Sequence, residues 1–336
     1  MKKKRRKIRR LLSVAAGLLA IALVILAIMI LSPMPVVREQ DARSKETELA
    51  AGLTLERIYE SEPHRFVMRD DATLQGHRFV SSSPDSLVML HGACGFDNQL
   101  NKCCGMLREV TGIDIFTYDH RGHGASPGPR GDLAYIGQYS SDVADVLKAV
   151  RALKPEGRII LGGHSMGGGI VQSYAVSDEP QLADAYLLFS PALGRGTPGS
   201  ETPDFIKLHI PRILALTLLN RIGIQQLNHL PVLRFGLGEF EGHFDEYTYA
   251  ATISICPTYY ADGLAALDKP LLVVLGELDT KFGAVPANVA QAVKEHSRGE
   301  VVIVDDEDHH VQNSAEAIEQ VSRWIAQLSV PPPEIQ

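Results

Sequence analysis

Directly after an apolar run, Arg158-Ile159-Ile160-Leu161, the chain reads Gly163-His164-Ser165-Met166-Gly167. This pentapeptide restricts the fold more than any other feature. A serine on a sharp strand-to-helix turn is held in strained dihedrals, and its hydroxyl is pushed up out of the sheet. Small residues permit the turn, because a side chain at Gly163 or Gly167 would collide with the neighbouring strand or helix. The same G-x-S-x-G pattern also occurs in plain glycine-rich turns. The serine's partners elsewhere in the chain decide between the two.

A serine hydroxyl is a weak nucleophile and needs a base within hydrogen-bond reach. Imidazole has the right basicity near neutral pH, and a buried carboxylate fixes its tautomer. With a serine turn of this kind the order along the chain is Ser, then Asp or Glu, then His. The run Pro270–Leu275 ends in Gly276-Glu277-Leu278-Asp279, which places Asp279 at the carboxyl end of a strand, with Glu277 as competitor. The run Glu300–Val304 ends in Asp305-Asp306-Glu307-Asp308-His309-His310. His309 is the favoured base, because four loop residues after the strand is the usual offset; His310 is the alternative. The oxyanion of an acyl-transfer intermediate needs two backbone N–H groups. Met166, after the nucleophile, supplies one. Ala93, in His91-Gly92-Ala93-Cys94-Gly95 after the strand Leu87–Leu90, is the best second donor. No metal or organic cofactor is expected, and no further histidine stands at metal-ligand spacing near Asp305–His310.

His91-Gly92-Ala93, the turn Tyr118-Asp119-His120-Arg121-Gly122-His123-Gly124-Ala125-Ser126, the Ser165 pentapeptide with Gly168, and Gly276–Asp279 with His309 together resemble the α/β-hydrolase superfamily. Within it the monoacylglycerol lipase and lysophospholipase group is the nearest resemblance, over residues 64–328. The resemblance implies a serine hydrolase cleaving carboxylic esters through an acyl-enzyme. The implied substrate is a monoacylglycerol- or lysophospholipid-type ester. Carboxylesterases and thioesterases acting on small soluble esters share these motifs. A catalytically silent binding or scaffold protein is the alternative from another class. The Asp119–Ser126 turn is structural in the family, so Asp119, His120 and His123 receive no catalytic role. The chain departs from the family in Cys94, in the pair Cys103-Cys104, and at its N-terminus.

Residues 2–10 hold eight Lys or Arg, and residues 11–31 hold no charge. Twenty-one helical residues span about 30 Å, the thickness of a hydrocarbon core. A cleaved signal peptide is the competing reading. Its apolar region is normally shorter, and Ser32-Pro33-Met34-Pro35 offers no small-residue cleavage site. The favoured reading is therefore a single-pass anchor, with residues 1–10 in the cytoplasm and the body on the extracytoplasmic side, periplasmic or extracellular. Without the first ten residues the chain carries 25 basic against 40 acidic side chains, net −15. An acidic body excludes nucleic acid as an expected partner. Four cysteines are too few for a disulfide-built fold. One bridge from Cys94 to Cys103 or Cys104 is compatible with the expected compartment, and so are buried free thiols.

The expected order is a basic tail (1–10), an anchor (11–31) and a stalk (32–62) with a short amphipathic helix around Leu49–Ile58. A core over 63–193 and 259–330 follows, interrupted by a cap at 194–258. Phe66–Met68 and Leu74–Val80 read as an antiparallel hairpin. Beyond it, strands near Leu87–Leu90, Ile113–Tyr118, Arg158–Leu161, Ala185–Phe189, Pro270–Leu275 and Val301–Val304 alternate with helical segments. That alternation predicts a mostly parallel sheet with helices on both faces. Ala315, Ile318, Val321, Trp324, Ile325 and Leu328 mark the packed face of the last helix. The insertion is dense in apolar residues from Phe205 to Ile224, which suits a helical lid over an acyl pocket, a membrane contact, or both. Arg212 and Arg221 interrupt that run and argue against a second membrane span.

Overall fold

The computed structural model describes residues 2–37, 57–199, 202–236, 244–280 and 285–328. Most of the segment expected to form the stalk helix lies outside them. The chain opens with α1 (Lys2–Leu31), whose apolar stretch stands clear of the body along most of its length. By length and composition Arg6–Leu31 suffices to cross a membrane.

The body is built on eight strands. These are β1 (Glu62–Val67), β2 (Thr73–Phe79), β3 (Ser86–Leu90), β4 (Asp114–Tyr118), β5 (Ile159–His164), β6 (Ala185–Phe189), β10 (Leu271–Gly276) and β11 (Glu300–Val304). Their order in the sheet is β1-β2-β4-β3-β5-β6-β10-β11. The opening hairpin pairs antiparallel, as does β2 with β4, and every later pair is parallel. Strands β3, β4, β5, β6 and β10 are buried at every residue. Apolar residues therefore dominate them, most clearly in Leu87–Leu90 and Leu271–Leu275, the signature of strands covered on both faces.

Period-two geometry sends alternate residues to opposite sides. From β3, Val88 and Leu90 enter one core and Leu87 and Met89 the other. Helices α3 (Gln138–Leu153), α4 (Met166–Ala175) and α8 (Pro286–His296) cover the first face. Helices α2 (Asn101–Thr111) and α9 (Ala315–Leu328) cover the second. On α9 the buried stripe is Ala317, Ile318, Val321, Trp324 and Ile325; Ala315 faces solvent. None of the four cysteines is in a disulfide. Cys94 joins the first core and the Cys103-Cys104 pair the second, so the bridge left open by the sequence does not form.

Between β6 and β10 the chain leaves the sheet. This insertion contains β7 (Ile206–Leu208), α5 (Ile210–Arg221), β8 (Pro231–Phe235), β9 (Glu246–Thr248), α6 (Tyr249–Ile255) and α7 (Tyr260–Ala266). The helices expected there are joined by a small antiparallel sheet, β7-β8-β9. The insertion also holds the end of α1. The Arg212 guanidinium is buried, and it donates to Ile30 O at 2.8 Å, Ser32 O at 2.5 Å and Pro231 O at 2.6 Å. A helix C-terminus leaves unpaired carbonyls and a partial negative charge, and a guanidinium satisfies both.

Candidate active site

Ser165 sits between β5 and α4 with φ 53° and ψ −115°. A non-glycine residue there costs about 1–3 kcal/mol, so its surroundings must hold it. They do so with backbone bonds: Ser165 N–H donates to Phe189 O at 3.0 Å, and Ala192 N–H donates to Ser165 O at 2.8 Å. The flanking glycines are sterically required. A β-carbon on Gly163 would stand 2.3 Å from the Gly167 carbonyl carbon, and one on Gly167 would stand 2.3 Å from Leu90 O. The turn therefore exists only because strand and helix approach without side chains between them.

Asp279 and His309 come from separate loops beyond β10 and β11. Backbone bonds from Glu277 N–H to Val304 O (2.9 Å) and from Leu278 N–H to Glu307 O (2.8 Å) lash those loops together. His309 Nδ1 then lies 2.9 Å from Asp279 Oδ2, with both side chains nearly buried. A carboxylate can only accept, so Nδ1 carries the proton and Nε2 is left as the basic nitrogen. Glu277 turns outward and accepts Asp306 N–H at 3.3 Å. His310 Nδ1 stands 3.8 Å from Asp308 Oδ1, beyond hydrogen-bond reach, and burial lowers its pKa to about 4. The His164 ring steadies the base from below: its Nε2–H donates to His309 O at 2.9 Å. Burial and the neighbouring imidazoles hold His164 well below the usual histidine range, so it stays neutral.

The loop after β3 lies against the nucleophile. A β-carbon on Gly92 would stand 3.4 Å from Ser165 Cβ. Buried histidines shape this loop. His91 Nδ1–H donates to Gly92 O at 2.8 Å, and its Nε2 accepts His120 N–H at 3.0 Å. Burial lowers the His91 pKa to about 4. Cys94, three residues after His91, is at φ 60°. Its N–H is held at 2.7 Å by the hydroxyl of Tyr247, which lies on β9 of the insertion. That hydroxyl in turn donates to His123 Nε2 at 2.9 Å, while His123 Nδ1–H donates to Arg121 O at 3.1 Å. Sequence reasoning missed Tyr247 and gave His123 no catalytic role. The structure gives both a positioning task through hydrogen bonds that bridge insertion and core.

Asp119 has a comparable structural task. Its carboxyl accepts Asp97 N–H and Ala125 N–H, each at 2.7 Å, and burial raises its pKa to about 6. Ser165, the Asp279–His309 pair and the loop containing Ala93 thus all lie at the carboxyl edge of the parallel strands. Such an arrangement can form and break an acyl bond at the serine.

The sequence also matches known proteins. The profile of the serine aminopeptidase S33 family (Hydrolase_4) covers residues 82–229. A monoglyceride lipase homolog of monkeypox virus is 33% identical over 109 residues, 32% of this chain and 39% of that protein. Across the first curated relatives the matched stretch spans less than half of their length, 39% to 45%. Among solved structures, the monoacylglycerol lipase of Paleococcus ferrophilus superposes with a TM-score of 0.53 at 19% identity. That superposition covers 76% of this chain and 97% of that one. A membrane phospholipase A described as a bacterial virulence factor gives 0.56 at 16% identity, over 98% of this chain and 100% of that one. Sheet order, serine turn and these likenesses lead to one conclusion: the chain has the α/β-hydrolase fold and resembles serine hydrolases of the lipase type.

Proposed function

We propose that this chain is a membrane-anchored serine hydrolase that cleaves carboxylic esters of single-chain lipids, of the monoacylglycerol or lysophospholipid kind. The observation that carries the reading is the strained Ser165 turn beside a His309–Asp279 pair closed at 2.9 Å. In the proposed reaction Ser165 Oγ attacks the ester carbonyl while His309 Nε2 takes its proton. Asp279 keeps the imidazole in the required tautomer and stabilises the imidazolium. The N–H groups of Met166 and Ala93 receive the charge that develops on the carbonyl oxygen. His309 returns the proton to the leaving alcohol, and water then deacylates Ser165 by the same path in reverse.

The lipid substrate is favoured by the names of the monkeypox virus relative and the Paleococcus ferrophilus structure, and by the apolar cap. The anchor is favoured by the uncharged run 11–31 and by the likeness to a membrane phospholipase, which extends across nearly the whole chain. It is also favoured by Arg212, which binds carbonyls at the end of α1; a cleaved leader would remove two of the three acceptors of that buried cation, leaving Pro231 O. The basic segment 2–10 argues for an extracytoplasmic catalytic body. The test is hydrolysis of an ester panel graded by acyl length, with Ser165→Ala as control. Turnover that rises toward long acyl chains and vanishes in Ser165→Ala is expected. A peak at acetyl or butyryl esters would instead assign the enzyme to small soluble esters.

A further inference from the structure

We propose that α5 is a second membrane contact, lying in the outer leaflet of the bilayer that α1 crosses. The proposal rests on the anchor reading given above. Ile210, Leu214 and Leu218 recur every four residues along α5, Ile222 follows directly after its last residue, and the four are 51%, 56%, 54% and 66% exposed. The opposite face of the helix is spent on packing: Arg212, Ala215, Leu216 and Leu219 are buried. An unbroken row of large aliphatic side chains on a surface helix marks an interaction site.

Continuity with α1 identifies the occupant. Leu26 and Ile30 of α1 pack into the same apolar cluster as Leu216 and Leu219 of α5. Both α1 residues belong to the uncharged run that must fill the hydrocarbon core. Leu26 lies five residues before Leu31, the end of that run, which is about 8 Å along the helix. A helix that packs on Leu26 therefore reaches about 8 Å below the point where the anchor leaves the hydrocarbon. Amphipathic helices at membrane surfaces bury their apolar faces to about 5–10 Å. The bonds from Arg212 to Ile30 O and Ser32 O, and from His209 Nε2–H to Ser32 O at 3.0 Å, fix α5 at this depth. The apolar row then continues the lipid-facing surface of α1, and the cap above it is held at the bilayer where an amphiphilic ester resides.

The test uses the full chain in phosphatidylcholine vesicles, with acyl chains brominated either near the headgroup or near the chain end. Leu218→Trp reports on α5 and Val24→Trp on the anchor; the native Trp324, buried in the core, supplies the baseline. Both new tryptophans are expected to be quenched by bromine, with Leu218→Trp preferring the bromine near the headgroup. Quenching at Val24→Trp alone, with Leu218→Trp open to aqueous iodide, would overturn the α5 contact and leave the anchor standing. Leu218→Trp shielded from both quenchers, with association that depends on protein concentration, would assign the row to a second copy of the chain and also overturn it. Silence at both positions would overturn the anchor and the α5 contact together. As a functional readout, Leu214→Glu with Leu218→Glu is expected to leave turnover of a soluble ester unchanged. Turnover of a vesicle-borne ester should fall by about tenfold or more. Equal rates on vesicles would contradict the proposal.

Discussion

Replacing Tyr247 by Phe removes one oxygen that joins the insertion to the loop beside Ser165. That oxygen is buried, accepts Cys94 N–H at 2.7 Å and donates to His123 Nε2 at 2.9 Å. Leaving a buried polar group unpaired costs about 1–3 kcal/mol, so two such groups cost about 2–6 kcal/mol of stability. The catalytic effect has a separate origin. Cys94 holds φ 60°, a conformation that costs a non-glycine residue about 1–2 kcal/mol. Without its hydrogen bond the loop is expected to relax and to carry the adjacent Ala93 N–H, the proposed second oxyanion donor, out of position. Removal of a whole oxyanion donor costs about 10²–10³ in kcat, so a displaced donor is expected to cost about ten- to a hundredfold. KM should barely change, because the donor acts in the transition state. Steady-state kinetics on a soluble chromogenic ester, run beside thermal melts, measures both effects. Adding Cys94→Gly, which adopts positive φ freely, is expected to restore part of kcat while leaving the melting point low. A lowered melting point with kcat unchanged would refute the reasoning and reduce Tyr247 to packing.

Asp279→Asn should lower kcat by about 10⁴, because the amide favours the wrong imidazole tautomer. Glu277→Gln, at an exposed side chain, should change it little, and comparable losses from both would contradict the geometry. His309→Ala should abolish turnover in the same assay, whereas His310→Ala should act mainly on stability; equal, mild losses would reverse the assignment of the base. The buried histidines also predict acid lability. His91 has a pKa of about 4 in the fold against an ordinary 6.5, and His120, His123 and His164 are likewise lowered by burial. Between those values the unfolded chain binds protons that the fold refuses. The stability is therefore intact above pH 6.5 and is lost as pH falls toward 4, by about 3 kcal/mol from His91 alone. Asp119, raised to about 6, and Asp142, also raised by burial, act with the opposite sign, gaining protons in the fold first. The lowered histidines, which also include His64 and His310, outnumber the two raised carboxyls, so urea midpoints should fall steadily on acidification; a rising midpoint would contradict this balance.

The central sheet was legible because strands buried on both sides show as unbroken apolar runs, as in Leu87–Leu90 and Leu271–Leu275. Ser165 was legible because its turn demands glycines at fixed offsets. The small sheet of the insertion was not, since strands of three residues such as Ile206–Leu208 are too short to display alternation. Tyr247 gave no signal at all: it meets Cys94 across 153 positions of sequence, and nothing near either residue announces the bond. His309 and His310 are adjacent and chemically alike, so only the hydrogen bond that His309 makes to Asp279 separates them. Arg212 shows in the sequence only as an interruption of an apolar run. Its partners, the terminal carbonyls of α1, lie about 180 residues earlier and could be found only in the fold.

The claim on which the rest depends is that Ser165 is an activated nucleophile, and covalent labelling addresses it directly. The folded full-length chain is treated with a fluorophosphonate and digested, and the modified residue is located by mass spectrometry. One adduct is predicted, on Ser165, absent in Ser165→Ala and formed far more slowly in His309→Ala. No adduct on folded protein, or an adduct on a different serine, would contradict the account.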